Sequence, residues 1–373
     1  MEIGSSFGTI GRLLGGALSV RDRLDLLVRQ ASDGRRAESY AGLGVDARRS
    51  IDLRAEVARR ETYLRAIDVA QARIAVMQPA LGRIGEIASD MAAKALSLIT
   101  LDTAAVAATA VAAREALREV ASLLNAQAGE VFVFGGADTA RPPVPNADAI
   151  LSSPFFLAIE AATRQLGEPW DHDSNPLTPD IARSAAQVLL DTRDIAASDD
   201  PAVTPFSPFL SELSPEGAVN APRASLLAQE GARVTYGIVA NANAVSTVVS
   251  SEPTTGSYMR DILRGIAMLA SLTEDEAASE EFAPLLQGIA ASLRAAHQAL
   301  QDDRAALGVA EQRLSQAKQA HADVKVVLAA QIASVEDVDI AEVTARLQLL
   351  QVQLEMSYRL IGALRDLSLA RYL

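Results

Sequence analysis

Apolar side chains recur with a seven-residue period near both ends of the chain, and this period predicts long helices that pack side by side. In the first half the two registers of the repeat contain Ile67, Ala70, Ile74, Met77, Leu81, Ile84, Ala88 and Met91. Pro79 lies inside this repeat, and a proline in a helix interior removes a hydrogen-bond donor. We therefore expect a kink or a helix break near Gln78, followed by a second helix over about residues 102–126.

The repeat is more regular in the second half of the chain. Its two registers contain Leu293, Ala296, Leu300, Leu307, Ala310, Leu314, Ala317, His321, Val324 and Leu328. A break follows over residues 333–340, where Ser334 and Asp337 have the spacing of a helix-start capping pair. Beyond the break the apolar pattern resumes and continues almost to the C-terminus, which predicts one more long helix.

Both terminal helices carry an apolar side that something must cover, because an amphipathic helix is stable only when its apolar side is buried. The residues that define these sides form the candidate assembly interface: Leu14, Leu18, Leu24 and Val28 near the N-terminus, and Leu347, Leu350, Leu354, Ile361 and Leu364 near the C-terminus. Either the two ends cover each other or neighbouring chains cover them.

Proline placement separates the middle of the chain from its ends. Of the 15 prolines, 12 lie between Pro142 and Pro222, and none precedes Pro79 or follows Pro284. The ends can therefore hold long helices, whereas the middle cannot. Residues 146–233 hold 13 acidic residues and 5 arginines, so the middle carries −8 of the formal net charge of −13.

The whole pattern predicts a mainly α fold: a long antiparallel coiled-coil-like helical bundle, or rod, built from both termini, with a short β element and an inserted α+β or irregular middle domain. Runs rich in β-branched and aromatic residues at 130–134 and 234–239 indicate the short strands. The predicted domains are the terminal assembly helices (residues 1–45 with 334–373), the helical rod with its β element (46–145 with 231–333) and the inserted outer domain (146–230).

The composition narrows the function. A net charge of −13 disfavours nucleic acid and membranes as partners, and no apolar run is long enough to span a bilayer. The absence of cysteine excludes a disulfide framework, a thiolate metal site and a thiol nucleophile. Aromatic residues make up 4% of the chain although hydrophobic residues make up 49%, so small aliphatic side chains do most of the packing.

Candidate chemistry is sparse. The three histidines, His172, His297 and His321, are far apart in sequence and belong to no metal-ligand motif, and His321 occupies a repeat position that predicts core. We expect no catalytic, cofactor or metal site, and therefore no enzyme. One alternative function is a surface-exposed module whose acidic middle, with Trp170, binds a carbohydrate or a receptor.

Four stretches of the chain resemble the flagellin family. Residues 27–44 (LVRQASDGRRAESYAGLG) are similar to its N-terminal signature, and residues 63–95 are similar to its next long helix. Residues 124–144 (LNAQAGEVFVFGGADTARPPV) resemble a motif of the members that join the hook to the filament, through Asn125, Phe132, Phe134, Gly135 and Gly136. Residues 334–373 resemble the C-terminal signature, through Asp337, Asp339 and Glu342.

The flagellin resemblance implies a structural subunit of the bacterial flagellum that joins hook to filament by helical self-assembly through its terminal helices. A filament flagellin is the alternative within the family. The terminal helices would pair as an inner layer, poorly ordered in the free subunit and folded on assembly, while the middle projects outward. The implied partners are other copies of the chain, the hook-side junction protein, flagellin and a flagellar export chaperone. Export through the flagellum's own secretion apparatus would place the protein outside the cell.

Overall fold

The computed structural model describes residues 3–100, 104–170, 181–211, 223–241, 243 and 253–366. The chain divides into two units: unit 1 contains Met1–Leu64 and Gln319–Leu373, and unit 2 contains Arg65–Lys318. Long helices dominate the described residues, so the predicted mainly α fold is confirmed. The three-domain division expected from the sequence stays a prediction.

Two very long helices, of 51 and 55 residues, each contribute residues to both units. The helices of the described residues are α1 Ile3–Asp33, α2 Ala47–Ser97, α3 Ala104–Leu124, α4 Pro154–Thr163, α5 Ala185–Ala197, α6 Pro208–Ser211, α7 Tyr258–Ser271, α8 Glu274–Ala277, α9 Phe282–Glu336 and α10 Ile340–Asp366. Short 3-10 helices occupy Tyr40–Asp46 and Ala147–Ser152.

In unit 2, α2 and α9 run antiparallel with their apolar repeats facing each other. Lys318 Nζ lies 2.7 Å from Asp68 Oδ1, and further along a Cβ built on Gly85 would lie 3.1 Å from Leu300 Cδ2. Every residue of the first-half repeat is buried, and so are the leucines and alanines of the second-half repeat as far as Ala317. The predicted coiled-coil seam is therefore the core of this unit.

Of the kink or break expected near Gln78, the break is wrong, because α2 continues through Pro79 without interruption, and the kink stays a prediction. Met77 and Leu81, on either side of the proline, are buried in the core, whereas Pro79 itself is exposed. Burying such side chains stabilises this turn by about 1.5–3 kcal/mol each, which offsets the cost of about 3 kcal/mol for a proline inside a helix.

Helix α7 is buried on all sides, and its charged residues are buried with the rest. The guanidinium of Arg260 donates from Nη1 to the Ala196 carbonyl at 3.0 Å and from Nε to the Asn241 carbonyl at 3.3 Å, and it also pairs with the Asp199 carboxylate. Helices α3, α4 and α5 pack against α7. These contacts tie the middle of the chain to the helical core of unit 2.

The strands are short and form three separate antiparallel pairs among the described residues. The pairs are β1 Gln127–Ala128 with β2 Val131–Phe132, β3 Pro169–Trp170 with β4 Ile181–Ala182, and β5 Ser225–Gln229 with β6 Ala232–Thr235. In the register of these pairs, Gln127 lies opposite Phe132, Pro169 opposite Ala182 and Ser225 opposite Thr235. The strand expected over 130–134 is thus shorter, and the one expected over 234–239 ends earlier. One backbone bond, from Ala240 N to the Phe134 carbonyl at 2.9 Å, joins these two regions.

Unit 1 contains two helix pairs. The first turns of α2 lie beside the last turns of α9, where Lys325 Nζ is 2.7 Å from Glu61 Oε1 and the Tyr63 ring stacks on His321 with centroids 5.0 Å apart. Helix α1 packs against α10. Among the side chains whose burial the structure describes, the buried apolar residues of unit 1 are Ala17, Val20, Leu328, Val335 and Val343.

Candidate assembly interface

The segment after α1 and the segment before α10 lie side by side in unit 1. Arg35 forms an isolated antiparallel bridge with Asp337, and the Arg36 amide donates to the Glu336 carbonyl at 2.7 Å on one side of this bridge. The C-terminal end of α1 therefore meets the N-terminal end of α10. Since the two helices leave this point together and pack on each other, they run antiparallel.

Gly34 ends α1 and turns the chain into the bridge. Its φ is 69°, in the left-handed region that glycine adopts at little steric cost and that commonly ends helices. The Gly34 amide donates to the Gln30 carbonyl at 2.9 Å, and the Gly34 carbonyl accepts from the Val338 amide at 3.0 Å on the other side of the bridge. A residue with a Cβ here would be strained by the backbone conformation alone.

The carboxylate of Glu336, at the end of α9, is the centre of the polar contacts at this crossover. Arg54 donates to it from Nε, at 2.8 Å, and from Nη2, and the Ser50 hydroxyl donates to it as well. The hydrogen bonds from Arg54, followed by the one from Ser50, lower the pKa of Glu336 from 4.5 to about 2. A carboxylate that accepts from two donors on one edge of a guanidinium makes a strong and directional contact.

Arg36 extends the same polar network to two more segments. Its Nη1 donates to the Val335 carbonyl at 3.2 Å and lies 3.3 Å from Asp46 Oδ2, just before α2 begins. Gln30 Nε2, in the last turns of α1, donates to the Arg36 carbonyl at 2.8 Å. None of these contacts follows from the apolar repeat, so the repeat does not predict them.

Asp339 caps α10. Its Oδ1 accepts from the amides of Ala341 and Glu342 at 2.8 and 3.2 Å, which supplies acceptors to amides that have none inside the helix. The expected capping pair of Ser334 and Asp337 is wrong, because Ser334 lies inside α9. The C-terminal signature thus contains the bridge residue, the cap and the first turn of α10.

Part of the predicted assembly interface lies on the paired sides of α1 and α10. Ala17, Val20 and Val343 are buried there. The predicted interface residues with half-buried side chains are Leu24, Leu347, Leu350, Leu354 and Ile361. Those on α10 follow Val343 at helical spacing, so they share its side of the helix. The side chain of Leu364 lies outside the described residues.

The other predicted interface residues of α1 remain accessible. Leu14, Leu18 and Val28 are 52%, 54% and 45% exposed. The pairing with α10 therefore covers Leu24 in part and leaves these three side chains free to contact another molecule. Their role in assembly remains a prediction.

A second apolar stripe on α10 was missed in the sequence. Leu349, Val352, Met356 and Leu360 are each more than half exposed, at 68%, 58%, 55% and 54%. Successive residues of an α-helix are about 100° apart, so these four fall within an arc of about 80°, away from the stripe of Val343. Their spacing of three, four and four residues was visible in the sequence. Helix α10 thus presents one apolar side to α1 and another to solvent.

The stretch that resembles the junction members lies in unit 2, where Asn125 closes a loop. Its Nδ2 donates to the Val144 carbonyl at 2.8 Å, and its Oδ1 accepts from the Val144 amide at 2.9 Å. One amide side chain thus satisfies both backbone groups of a residue on the far side of the loop. Asparagine is suited to this contact because it offers a donor and an acceptor on one planar group.

The rest of that stretch forms a tight turn. Phe132 is half-buried in β2, and Phe134 is buried. A Cβ built on Gly135 would lie 2.2 Å from the Asp138 carbonyl oxygen, and Gly136 has a φ of 64°. Both glycines are therefore required by the backbone path. The motif residues have a clear structural role here, whereas their functional role stays a prediction.

Few groups suggest chemistry. No group of three or more residues that could hold a metal ion occurs within the described part of the chain. His321 is buried against Tyr63, and burial, with a smaller contribution from Arg304, lowers the pKa of His297. His172 and the side chain of Trp170 lie outside the described residues.

Residues 291–373, which include all of α10 and most of α9, match the family model of the bacterial flagellin C-terminal helical region. The match supports the flagellin family. No curated protein matches the chain. Flagellins are structural, non-enzymatic proteins of the extracellular flagellum that assemble with one another and with other axial proteins, so the match also supports a flagellar structural subunit. No described helix is long and apolar enough to cross a membrane.

Proposed function

We propose that this flagellin-like chain is a hook–filament junction subunit, hook-associated protein 3, which joins hook to filament by helical self-assembly through its terminal helices. The observation that carries the assembly is the second apolar stripe of α10, which lies inside the family match and faces solvent. A further molecule must cover this stripe, because a contiguous apolar surface of this kind marks an interaction site.

Self-assembly accounts for both exposed sets in unit 1. The stripe of α10 and the exposed leucines of α1, Leu14 and Leu18, are different surfaces of one chain. When one surface of a subunit contacts a different surface of the next, the contact repeats and generates an open helical polymer rather than a closed dimer. A tubular structure such as the flagellum needs contacts of that kind.

The junction role rests on the resemblance of residues 124–144. The double contact of Asn125 with Val144, and the turn that requires Gly135 and Gly136, give this motif a defined shape. A filament flagellin is the alternative within the same family. The partners in the proposal are further copies of the chain, the hook-side junction protein, flagellin and an export chaperone, and the location is the extracellular hook–filament junction.

Polymerisation of the purified chain tests the assembly surface. Leu349→Glu places a charge in the exposed stripe and should reduce sedimentable polymer at least about tenfold, because each contact would bury that charge. Gln351→Glu adds the same charge on the same helix outside the stripe and should assemble like the parent chain. Both variants should keep their helical circular dichroism. Unchanged polymerisation of Leu349→Glu would exclude this surface.

The junction role is tested separately in flagellated bacteria. In cells that lack their own junction protein, the chain should restore filaments on hooks and hence swimming, as seen by electron microscopy and in soft agar. In cells that lack filament flagellin, it should not build filaments. Filaments in cells that lack flagellin, with none restored in cells that lack the junction protein, would identify a filament flagellin. That outcome would not contradict the proposed assembly surface.

A further inference from the structure

We propose that Met356, in the exposed apolar stripe of α10, is an oxidation site, and that its conversion to the sulfoxide weakens assembly. The oxidant is a hydroperoxide such as hydrogen peroxide in the surroundings of the subunit. This inference rests on the proposed function, because it takes the exposed stripe as the assembly surface. It adds a reversible chemical modification that controls that surface.

Met356 differs from the other methionines that the structure describes in its exposure to solvent. It is 55% exposed. The others are all buried, with at most 3% of each residue exposed: Met77, Met91, Met259 and Met268. A thioether is oxidised where an oxidant can reach the sulfur, so exposure selects Met356 from this set.

The reaction transfers one oxygen atom from the peroxide to the sulfur of Met356. A sulfur lone pair attacks one peroxide oxygen, the O–O bond breaks, and the other oxygen leaves as hydroxide, which takes a proton to become water. The sulfur loses two electrons and the peroxide gains them. The chain contains no cysteine, so no thiolate of its own competes for the oxidant. Reduction back to the thioether needs two thiols from outside the chain, which form a disulfide and release water.

The position of Met356 explains why the modification matters. Val352 and Leu360 are each four residues away, so they lie about 40° to either side of Met356 around the helix axis. A thioether packs like an apolar side chain, whereas a sulfoxide is polar and its oxygen accepts hydrogen bonds. Exposed leucines of α1 on another copy, such as Leu14 and Leu18, have no donor to offer. Assembly would therefore bury the sulfoxide oxygen without a partner, at a cost in free energy.

Peptide mass spectrometry after brief treatment with hydrogen peroxide tests the site. In the free chain Met356 should gain oxygen at least about tenfold faster than Met77 and Met268, because those two are buried. In treated polymer Met356 should be protected, because the neighbouring copy covers it. Equal oxidation of all three methionines in the free chain would overturn the proposal, and so would equal oxidation of Met356 in free chain and polymer.

Polymerisation of the oxidised chain, after removal of the peroxide, tests the consequence. Oxidation should reduce sedimentable polymer about tenfold, since burial of an unpaired polar group costs roughly that factor. A methionine sulfoxide reductase supplied with thiol should restore it. The matched control is Met356→Leu, which keeps an apolar side chain of similar volume and also keeps Met1 and the buried methionines. It should polymerise like the parent chain before and after peroxide, and normal polymerisation of a chain with oxidised Met356 would overturn the proposal.

Met356→Gln separates the polarity of the side chain from the effects of the oxidant. Glutamine is similar in length to methionine but polar, so this variant should lose polymer without any peroxide. Polymerisation equal to that of Met356→Leu would contradict the proposal. The proposed function fails separately, because normal polymerisation of Leu349→Glu would exclude the stripe itself. Loss of polymer in Leu349→Glu, together with full assembly of the oxidised chain, would keep the stripe and remove only the role of Met356.

Discussion

Units 1 and 2 contain different portions of the same two long helices, α2 and α9, and they differ in what covers those helices. In unit 2, α3, α4, α5 and α7 add further layers, and core residues such as Leu300 are inaccessible to solvent. In unit 1 the described helices form only two pairs, and Leu349 is 68% exposed. Apolar residues at helical spacing are thus buried in a core in unit 2, whereas in unit 1 some of them are exposed to solvent.

The two units also differ in whether their charged side chains are buried. Unit 2 buries Arg260 and Arg264 and supplies carbonyl and carboxylate acceptors to them. On α10 the ion pairs of Glu342 with Arg346 and of Glu355 with Arg359 are exposed pairs one turn apart. Exposed pairs contribute little to stability, whereas a buried charge demands its partners. Unit 2 therefore supplies partners to its own buried charges, whereas the ion pairs of α10 in unit 1 stay in contact with solvent.

The largest effect in this comparison is expected from the buried cation. Arg260→Met should reduce the free energy of unfolding by about 3–5 kcal/mol, because it leaves Asp199 and three carbonyl groups without their donor. Arg83→Met removes an exposed pair with Glu119, which solvent screens, and should reduce the free energy of unfolding far less than Arg260→Met does. Urea unfolding followed by circular dichroism measures both. Equal losses would show that burial does not distinguish the two arginines.

A matched leucine pair measures the difference between the units directly. Leu300→Ala in unit 2 should cost about 2–5 kcal/mol, through lost burial and a cavity. Leu349→Ala in unit 1 should change the unfolding free energy by less than about 0.5 kcal/mol, because its side chain contributes little to the folded subunit. In polymer the order should reverse, with Leu349→Ala the more harmful to assembly. A large loss for Leu349→Ala in the free subunit would show that Leu349 contributes to the folded subunit as a core residue does.

Two helical glycines test packing with opposite signs. A Cβ on Gly265 of α7 would lie 2.7 Å from Leu293 Cδ2, so Gly265→Ala should destabilise unit 2 by about 1–3 kcal/mol. Apart from its chain neighbours and the backbone of its own helix, nothing lies within 4 Å of a Cβ on Gly308 of α9, so Gly308→Ala should stabilise the fold by about 0.5–1 kcal/mol. Thermal unfolding resolves changes of this size. Stabilisation by both substitutions would mean that α7 and α9 approach less closely than described.

The most local effect in this comparison is the response of the Glu336 contacts to acid. Hydrogen bonds from Arg54 and Ser50 lower the pKa of Glu336 from 4.5 to about 2. A group whose pKa is lower in the folded state stabilises the fold above its unfolded pKa and loses that contribution as the pH falls toward the folded value. Exchange of residues 336–350, corrected for intrinsic rates, should therefore accelerate between about pH 4.5 and 2 in the parent chain. It should change much less in Glu336→Gln, and identical pH profiles would contradict the assignment to Glu336.

How far the sequence predicts the structure depends on which interaction sets each feature. The repeats from Ile67 to Met91 and from Leu293 to Ala317 are buried as expected, because apolar periodicity reports directly on which side of a helix meets a neighbour. Val324, also in the second repeat, is exposed, because a register predicts a side of the helix but not whether anything covers it.

The polar contacts could not be predicted in the same way. Glu336 and Arg54 are 282 residues apart, and Arg260 lies in a helix whose apolar residues gave no sign that a cation would be buried among them. Such pairs depend on the tertiary approach of distant segments. The outer stripe of α10 is different, because its spacing is present in the sequence. The stripe of Val343 on the other side of the helix has a similar spacing, and apolar periodicity alone does not show which of the two packs against α1.

The double hydrogen bond of Asn125 with Val144 has a practical consequence. It closes residues 126–143 at their base, and the contact depends on neither the length nor the content of the loop between them. Ala140 and Arg141, within that loop, are exposed, and lengthening a closed surface loop costs little entropy. A foreign peptide inserted between Ala140 and Arg141 should therefore be carried by the folded chain. If the chain polymerises as proposed, that position would repeat the peptide at regular intervals along a fibre.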